Sequence, residues 1–472
     1  MWIAITVALF YLLGFLSSIN AVMTARTSQG SIAWVVSLNT FPFIAVPAYW
    51  LFGNSRFNGY VKARHSSSIK IQNRLAKTLK GLEPYHLPKS KISSAAVAAE
   101  KLADLPFLQK NSAQLLIDGK ATFESIIEGI DSAVSYILIQ FYIVRDDEIG
   151  RTIKEHLIAK SKEGVKTYFL YDEIGSLSLP DSYKEDLKKA GVEIRSFYTQ
   201  KGPGNRFQLN FRNHRKIVIV DGKTAWLGGH NIGDEYLGRD PKVGNWRDTH
   251  MKITGPAAIA VQVSFVEDWH WSTGETLSDI VWEPTSSAEG NTNILIVPSG
   301  PADDLETATL MFLHIINSAK KRIWIATPYF VPDDAILAAL QLAGLRGVDV
   351  RILVPEKADN LLINLSFYTY LDDVSLTGVQ FFRYTDGFLH EKVMLIDDDT
   401  STVGTANLDN RSFRLNFEIT GIISNPDFTA KVEAMFINDF IRSKEMTESD
   451  IDGHSFWFRL ATRLARLTSP VL

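Results

Sequence analysis

The sequence predicts an α/β protein of two pseudo-symmetric halves that share one active site at their interface, behind an N-terminal transmembrane helical hairpin. Three observations predict it: two long apolar runs open the chain, a pattern of strands and helices repeats along the rest, and one octapeptide frame occurs once in each repeat. The chain of 472 residues is long enough for two or three domains with sizeable cores. The boundaries read as 1–60 for the hairpin, 61–107 for a basic juxtamembrane region and linker, and 108–272 for the first half. A connector follows at 273–300, then the second half at 301–450 and a basic amphipathic tail at 451–472.

The first 55 residues contain one charged side chain, Arg26. Trp2 to Met23 is an uncharged apolar run long enough to cross a bilayer, and Ile32 to Phe52 is a second, with Trp34, Tyr49 and Trp50 suited to its interfaces. A cleaved signal peptide fits less well: there is no basic leader, the apolar core is too long, and a second apolar run follows closely. Pro42 and Pro47 inside the second run leave room for a kink or a re-entrant turn.

Arg56, Lys62, Arg64, Lys70, Arg74, Lys77 and Lys80 come next, with no acid before Glu83. Uncompensated cations beside a membrane segment point to the cytoplasmic side and to anionic headgroups. They also hide a charge asymmetry. The net charge is −4, but residues 1–80 carry eight basic and no acidic residues, so the remainder stands at −12. An acidic body argues against a nucleic-acid partner, whose phosphates are gripped mainly by Lys and Arg. The chain has no cysteine, which excludes disulfides and thiolate metal sites, and its ten histidines form no HExxH pair.

Apolar, aromatic runs at Tyr136–Ile143 and Arg322–Phe330 read as buried strands. Each is preceded by a helical pattern, 121–133 or 305–319, and followed by another, 148–162 or 334–345. Gly164-Val165 and Gly347-Val348 then mark matching helix-to-strand joins. FVEDW, with Asp268, is echoed by FINDF, with Asp439.

The octapeptide frame is His-x-Lys-x-x-x-x-Asp. HRKIVIVD supplies His214, Lys216 and Asp221; HEKVMLID supplies His390, Lys392 and Asp397. Four apolar residues after each Lys place the motif on a buried strand, where His and Lys, two apart, share a face. The sequences Gly228-Gly229-His230-Asn231 and Gly404-Thr405-Ala406-Asn407 follow at the same distance. An imidazole can be a nucleophile or a proton donor, a lysine pairs with a phosphate oxygen, and an asparagine donates to one without adding charge. Two of each, face to face, suit an in-line displacement at phosphorus.

This doubled motif resembles that of the phospholipase D superfamily, and with the hairpin the chain resembles its bacterial cardiolipin synthases over nearly its whole length. GNWRDTHMKITGP, VPSGP, TPYFVPDD and NLDNRSFRLNFE extend the match. The resemblance implies phospholipase D-like α/β sandwich domains and a membrane-bound phosphatidyltransferase. It implies that two phosphatidylglycerols give cardiolipin and glycerol through a phosphohistidine. His214 is read as nucleophile and His390 as acid/base, with Lys216, Lys392, Asn231 and Asn407 on the phosphoryl oxygens. A carboxylate beyond each Asn orients a histidine in related enzymes, which matches Glu418 and, by repeat position, Asp248. Asp221 and Asp397 complete the catalytic motif, but at strand ends they read better as turn caps or salt bridges. Gly229 departs from the family's usual Ser. The lysines supply the positive charge, so no metal or other cofactor is expected. A hydrolytic phospholipase D, or transfer to another alcohol or phospholipid, uses the same motif. In the tail, Phe456, Leu460, Leu464 and Leu467 share one helical face beside Arg459, Arg463 and Arg466, which suits an anionic membrane surface or packing on the protein.

Overall fold

The computed structural model describes the chain except residues 26, 54–55, 58, 62–76, 89–93, 201–209, 448–449, 451–453 and 472. Arg26 and four of the juxtamembrane cations (Lys62, Arg64, Lys70 and Arg74) therefore lie outside the described residues.

Helix α1 (Trp2–Thr24) has the length and apolar composition of a membrane span, 23 residues or about 35 Å at 1.5 Å per residue. The second apolar run differs from the single hairpin arm expected. It forms α2 (Ser28–Thr40) and α3 (Pro42–Phe52), of 13 and 11 residues. The break is at Phe41, with φ −129° and ψ 55°, because Pro42 disfavours helical geometry in the residue before it. At about 20 Å and about 17 Å, neither piece alone matches a hydrocarbon core of about 30 Å. Both pack on α1. A Cβ on Gly14 would lie 2.3 Å from the carbonyl oxygen of Leu38, so only glycine permits this approach. Asn39 donates to Ser18 (2.8 Å), Tyr49 to Asn20 (2.6 Å) and Trp50 to Ser17 (3.3 Å). Small residues and side-chain hydrogen bonds thus hold the three apolar helices together.

Among the described residues the body is built on one mixed sixteen-stranded sheet, fifteen strands in a continuous path and the two-residue strand Arg212–Asn213 beside it. The first half supplies β1 (Leu108–Ile117), β2 (Tyr136–Phe141), β3 (Lys166–Asp172), β4 (Glu193–Phe197), β5 (Ile217–Val220), β6 (Thr224–Gly228) and β7 (Thr249–Thr254). The second supplies β8 (Thr292–Ser299), β9 (Arg322–Ala326), β10 (Asp349–Pro355), β11 (Gln380–Tyr384), β12 (Val393–Ile396), β13 (Thr400–Gly404), β14 (Asn416–Ser424) and an edge strand, β15 (Ser443–Glu445). Their order is β4-β3-β2-β5-β6-β7-β1-β8-β14-β13-β12-β9-β10-β11-β15. Apart from β15 this reads as a palindrome about the antiparallel β1–β8 contact, so each strand has a counterpart in the other half. Strands β2, β5 and β12 are buried along their whole length, since helices cover both faces. The larger apolar cluster runs through both halves and includes Ile217, Ile296 and Leu395, whereas the smaller is confined to the first half.

Helices form where their signals lie. Asp147 and Asp333 cap Glu148–Lys162 and Asp334–Leu345 by accepting from Gly150 and Ile336 N–H. Phe57 and Tyr60, just past the N-terminal helices, are buried between the halves, with the Phe57 ring 5.1 Å from Phe211 and 5.9 Å from Phe417.

Candidate active site

Each histidine-lysine pair lies in an extended segment leading into a strand, β5 for His214 and Lys216, β12 for His390 and Lys392. The strands begin one residue after each lysine. What fixes each histidine is the opposite half. The Arg212–Asn213 pair runs parallel to Asn416–Phe417, and His214 N–H donates to the Phe417 carbonyl (2.9 Å). Symmetrically, Phe388–Leu389 runs parallel to Trp246–Arg247, and His390 N–H donates to the Arg247 carbonyl (2.8 Å).

The carboxylates are crossed in the same way. Glu418, on β14, lies 2.9 Å through each oxygen from His214 Nδ1; Asp248, just before β7, lies 2.7 Å from His390 Nδ1. A carboxylate only accepts, so His214 Nδ1 carries the proton and its Nε2 keeps the lone pair, whereas His390 Nδ1 faces both the Asp248 carboxylate and Lys392 Nζ, 2.8 Å away. Both histidines are about nine-tenths buried.

Burial lowers the His214 imidazole to about 4 against the opposing pull of Glu418, and lowers His390 to about 3 with Lys392 adding to the effect. Lys392 is lowered to about 8 and Lys216 well below the usual lysine range, again by burial. Lys216 Nζ donates to the His214 carbonyl (2.7 Å) and faces the Tyr142 ring at 5.5 Å; Lys392 Nζ donates to the His390 carbonyl. Burial alone would raise the two carboxyls. For Glu418 the charges of His214 and Lys216 outweigh it, and for Asp248 those of Lys392, His230 and His390 do, so both stay below the usual carboxylate range.

These shifts predict an acid-labile fold. With folded histidine pKa values below the ordinary 6.5, the unfolded chain binds more protons between them, so stability is full above about pH 6.5 and falls as pH drops toward 4 and then 3. Thermal melts in detergent from pH 7.5 to 4 check this. A His214→Gln/His390→Gln variant should show a shallower decline, and an unchanged slope would contradict the assignment.

The two halves support their carboxylates differently. Thr405 Oγ1 donates to Glu418 (2.6 Å), as does Asn416 Nδ2 (3.2 Å). In the first half a Cβ on Gly229 would meet Asp248 Oδ1 at 1.9 Å, so the shorter acid occupies the space of the missing side chain. Asp248 instead accepts from Thr249 N–H (2.8 Å), with Trp246 Nε1 3.4 Å away. The hydroxyl absent at Gly229 is thus offset by a closer backbone. Behind Asp248 lies a buried imidazole pair, His230 and His250, with Nδ1 atoms 3.2 Å apart; Ala406 and Thr420 stand at the matching points of the second half.

Asn231 accepts from Ile143 N–H (3.1 Å) and donates to the Tyr236 hydroxyl (3.2 Å). Asn407 donates to Asp409 (3.1 Å), and its Oδ1 is buried with no protein partner.

Asp221 and Asp397 are not brought to the histidines. Each lies at the far end of a four-residue strand, five residues or about 16 Å from its lysine at 3.3 Å per residue. Asp221 accepts from the N–H groups of Val134 (2.9 Å), Ser135 (2.7 Å) and Tyr136 (2.9 Å), capping the entry to β2. Asp397 does the same for Lys320, Lys321 and Arg322 ahead of β9. Both adopt left-handed φ, 52° and 49°, which aspartate tolerates better than most residues.

Sequence reasoning missed the residues beneath the histidines. The variable middle positions of the motifs are Arg215 and Glu391. Asp268 accepts from Gln140 (2.8 Å), Asn213 (2.8 Å), Arg215 (2.9 Å) and Tyr60 (2.8 Å). Arg247 bridges the halves to Asp439 and Glu391. The FVEDW and FINDF echo marked both aspartates as repeat positions, but nothing local names their partners. Tyr60 thus ties the segment after the N-terminal helices to the residues flanking His214. Tyr60→Phe should reduce kcat severalfold, since one buried hydrogen bond to a charged group contributes about 1.5–3 kcal/mol. Rates measured on the folded variant check it, and an unchanged kcat with a lowered Tm would make the contact purely structural.

The family described as cardiolipin synthase, phospholipase D-like domain matches residues 126–253 and again 312–440. Cardiolipin synthase A of Pseudomonas putida (strain W619) is 45% identical over 467 residues, 98% of this chain and 97% of that one. Cardiolipin synthase A of Pseudomonas entomophila (strain L48) is 44% identical over 469 residues, 99% and 98% of the two chains. Among solved structures, phosphatidylserine synthase of Haemophilus influenzae Rd KW20 superposes with a TM-score of 0.60 at 17% identity, covering 80% of this chain and all of that one, which shows a shared fold. Two family matches laid over two halves of matching strand order, and relatives alike from end to end, place the chain in the cardiolipin synthase family of phospholipase D-like enzymes.

Proposed function

We propose that this enzyme joins two phosphatidylglycerols into cardiolipin and free glycerol through a phosphohistidine. The observation that carries the proposal is the crossed pairing of His214 with Glu418 and His390 with Asp248, which builds one site from both halves and leaves a lone pair on His214 Nε2. In the first step His214 Nε2 attacks phosphorus, the bond to the terminal glycerol oxygen breaks, and His390 gives that oxygen a proton. In the second, His390 takes the proton of a second phosphatidylglycerol's terminal hydroxyl, whose oxygen attacks phosphorus and releases His214.

Lys216, Lys392, Asn231 and Asn407 hold the non-bridging oxygens, and Glu418 and Asp248 orient the imidazoles. The anionic phosphodiester offsets the lysine charges that depress the histidines, so binding raises His390 toward the protonated form an acid needs. Asp221 and Asp397 support the strand entries rather than the chemistry. The two lysines supply the charge that a metal would otherwise provide.

The enzyme is a multi-pass protein with its catalytic body on the cytoplasmic face. Helix α1 spans, α2 and α3 return, and the seven cations from Arg56 to Lys80 stay inside. Anchoring keeps the site near its lipids and raises their effective concentration. The test supplies phosphatidylglycerol in vesicles and follows products by chromatography. Cardiolipin with equimolar glycerol is expected; phosphatidic acid as the main product would overturn transfer in favour of hydrolysis.

A further inference from the structure

The C-terminal helix, Phe456–Arg466, packs on the body with a face other than the leucine stripe. Successive residues turn 100° around a helix, which divides this one into three sectors. The packed sector holds Phe458, Ala461, Thr462 and Ala465. Thr462 and Ala465 are buried, and the Phe458 ring meets Tyr368 of helix Leu361–Val374 edge-on at 5.1 Å. Arg459, Arg463 and Arg466 fill the second sector. Arg463 and Arg466 reach back to Asp372 (3.8 Å) and Asp373 (2.6 Å), and Arg466 also covers the Tyr370 ring at 4.5 Å. The third sector, with neighbouring Leu467, is large, apolar and exposed: Phe456 71%, Trp457 74%, Leu460 39%, Leu464 55% and Leu467 75%.

We propose that this outward face docks in an anionic bilayer surface, with the helix axis in the plane of the membrane. The helix is attached to the body through Phe458, Thr462 and Ala465, which leaves Phe456, Trp457, Leu464 and Leu467 largely outside the packing. It contains three arginines and no acid, the charge that anionic headgroups complement. Phe and Trp at one end are suited to the boundary between headgroups and acyl chains. A membrane is already within reach, since α1 has the length to span one. A second copy of the chain is the weaker occupant. Self-pairing of this face would set two arginine edges near each other, each answered only in part, by Asp372 and Asp373 of its own body. Docking here would give the catalytic body a second attachment, far in sequence from the first, and so fix its orientation over the bilayer. The proposal needs a bilayer but not the identity of the transferred headgroup, so it stands or falls separately from the reaction.

Because the chain has no cysteine, Leu464→Cys creates a unique thiol for an environment-sensitive fluorophore, and Lys189→Cys on the exposed side of helix Asp181–Lys189 gives a solvent reference. The full-length proteins are reconstituted into vesicles of phosphatidylglycerol with phosphatidylcholine, or of phosphatidylcholine alone, carrying acyl-chain nitroxides. We expect the 464 label to be blue-shifted and quenched roughly twofold or more in the anionic vesicles, less in the zwitterionic ones, with the 189 label unaffected. Labels that behave alike would overturn the proposal. So would a 464 label already shielded in lipid-free detergent and crosslinking between copies, which would show that a second chain covers the face. In parallel, Leu460→Ser/Leu464→Ser should lower turnover on vesicles but not on mixed micelles; equal loss on both, at unchanged Tm, would also count against it.

Discussion

Replacing His214 or His390 by alanine is expected to lower phosphatidyl transfer on the order of 10³-fold or more, with the double variant little worse than either single one. The two imidazoles act on one phosphorus in sequence, so removing either stops the same cycle. Folding should survive both changes, because each imidazole bonds only to side chains at the site and the supporting carboxylate keeps a lysine nearby. The variants then separate the roles. With radiolabelled phosphatidylglycerol, His390→Ala should accumulate a covalent phosphatidyl adduct, since attack can still occur while the resolving base is gone. His214→Ala should trap none. An adduct found only in His214→Ala would exchange the two roles, and wild-type turnover in either variant would sink the chemistry. Glu418→Gln belongs to the same experiment. Its amide can turn an N–H toward His214 Nδ1 and favour the wrong tautomer, so it should lose activity with little loss of fold.

The doubled frame was legible because four apolar residues after each lysine announce a buried strand, and because the frame occurs twice. The crossing was not. His214 and Glu418 are 204 residues apart and His390 and Asp248 142, and repeat spacing can single out both acids without saying which half's histidine each touches. The same limit hid Arg215 and Glu391, which occupy the variable middle of the motif and make sense only beside Asp268, Arg247 and Asp439. At the N-terminus Pro42 was visible, but hydropathy alone joined what the proline divides into α2 and α3. At the C-terminus the leucine stripe was read at once, yet only packing tells that it faces outward. Local signals fix strands, caps and breaks; partner choice across the interface depends on the assembled sheet.

Arg247 is expected to be the most costly single residue to remove from the body. It is 4% exposed, grips Asp439 through Nε (2.8 Å) and Nη2 (2.7 Å), lies 2.9 Å from Glu391 and 3.0 Å from Asp118, and offers its carbonyl to His390. Arg247→Ala leaves Asp439 and Glu391 buried without a cation, and breaking such a pair typically costs about 3–5 kcal/mol. Arg247→Lys keeps the charge but loses the two-pronged grip, so an intermediate loss follows. Burial already raises Glu391 above the usual carboxylate range, partly opposed by Arg247, and it raises Asp439 as well. Removing the guanidinium raises both further, and the sign of the pH dependence follows. A carboxyl with a raised folded pKa contributes stability at low pH that is lost as pH climbs from its unfolded value through the folded one. The deficit of Arg247→Ala against wild type should therefore be largest near pH 8 and shrink toward pH 5.5, measured by urea unfolding in detergent. An Arg247→Met/Asp439→Leu pair should recover part of the loss, since it removes Asp439 together with the guanidinium and leaves only Glu391 buried without its cation. A deficit independent of pH, with no recovery in the pair, would mean that Arg247 acts through packing alone and that the halves are held together elsewhere.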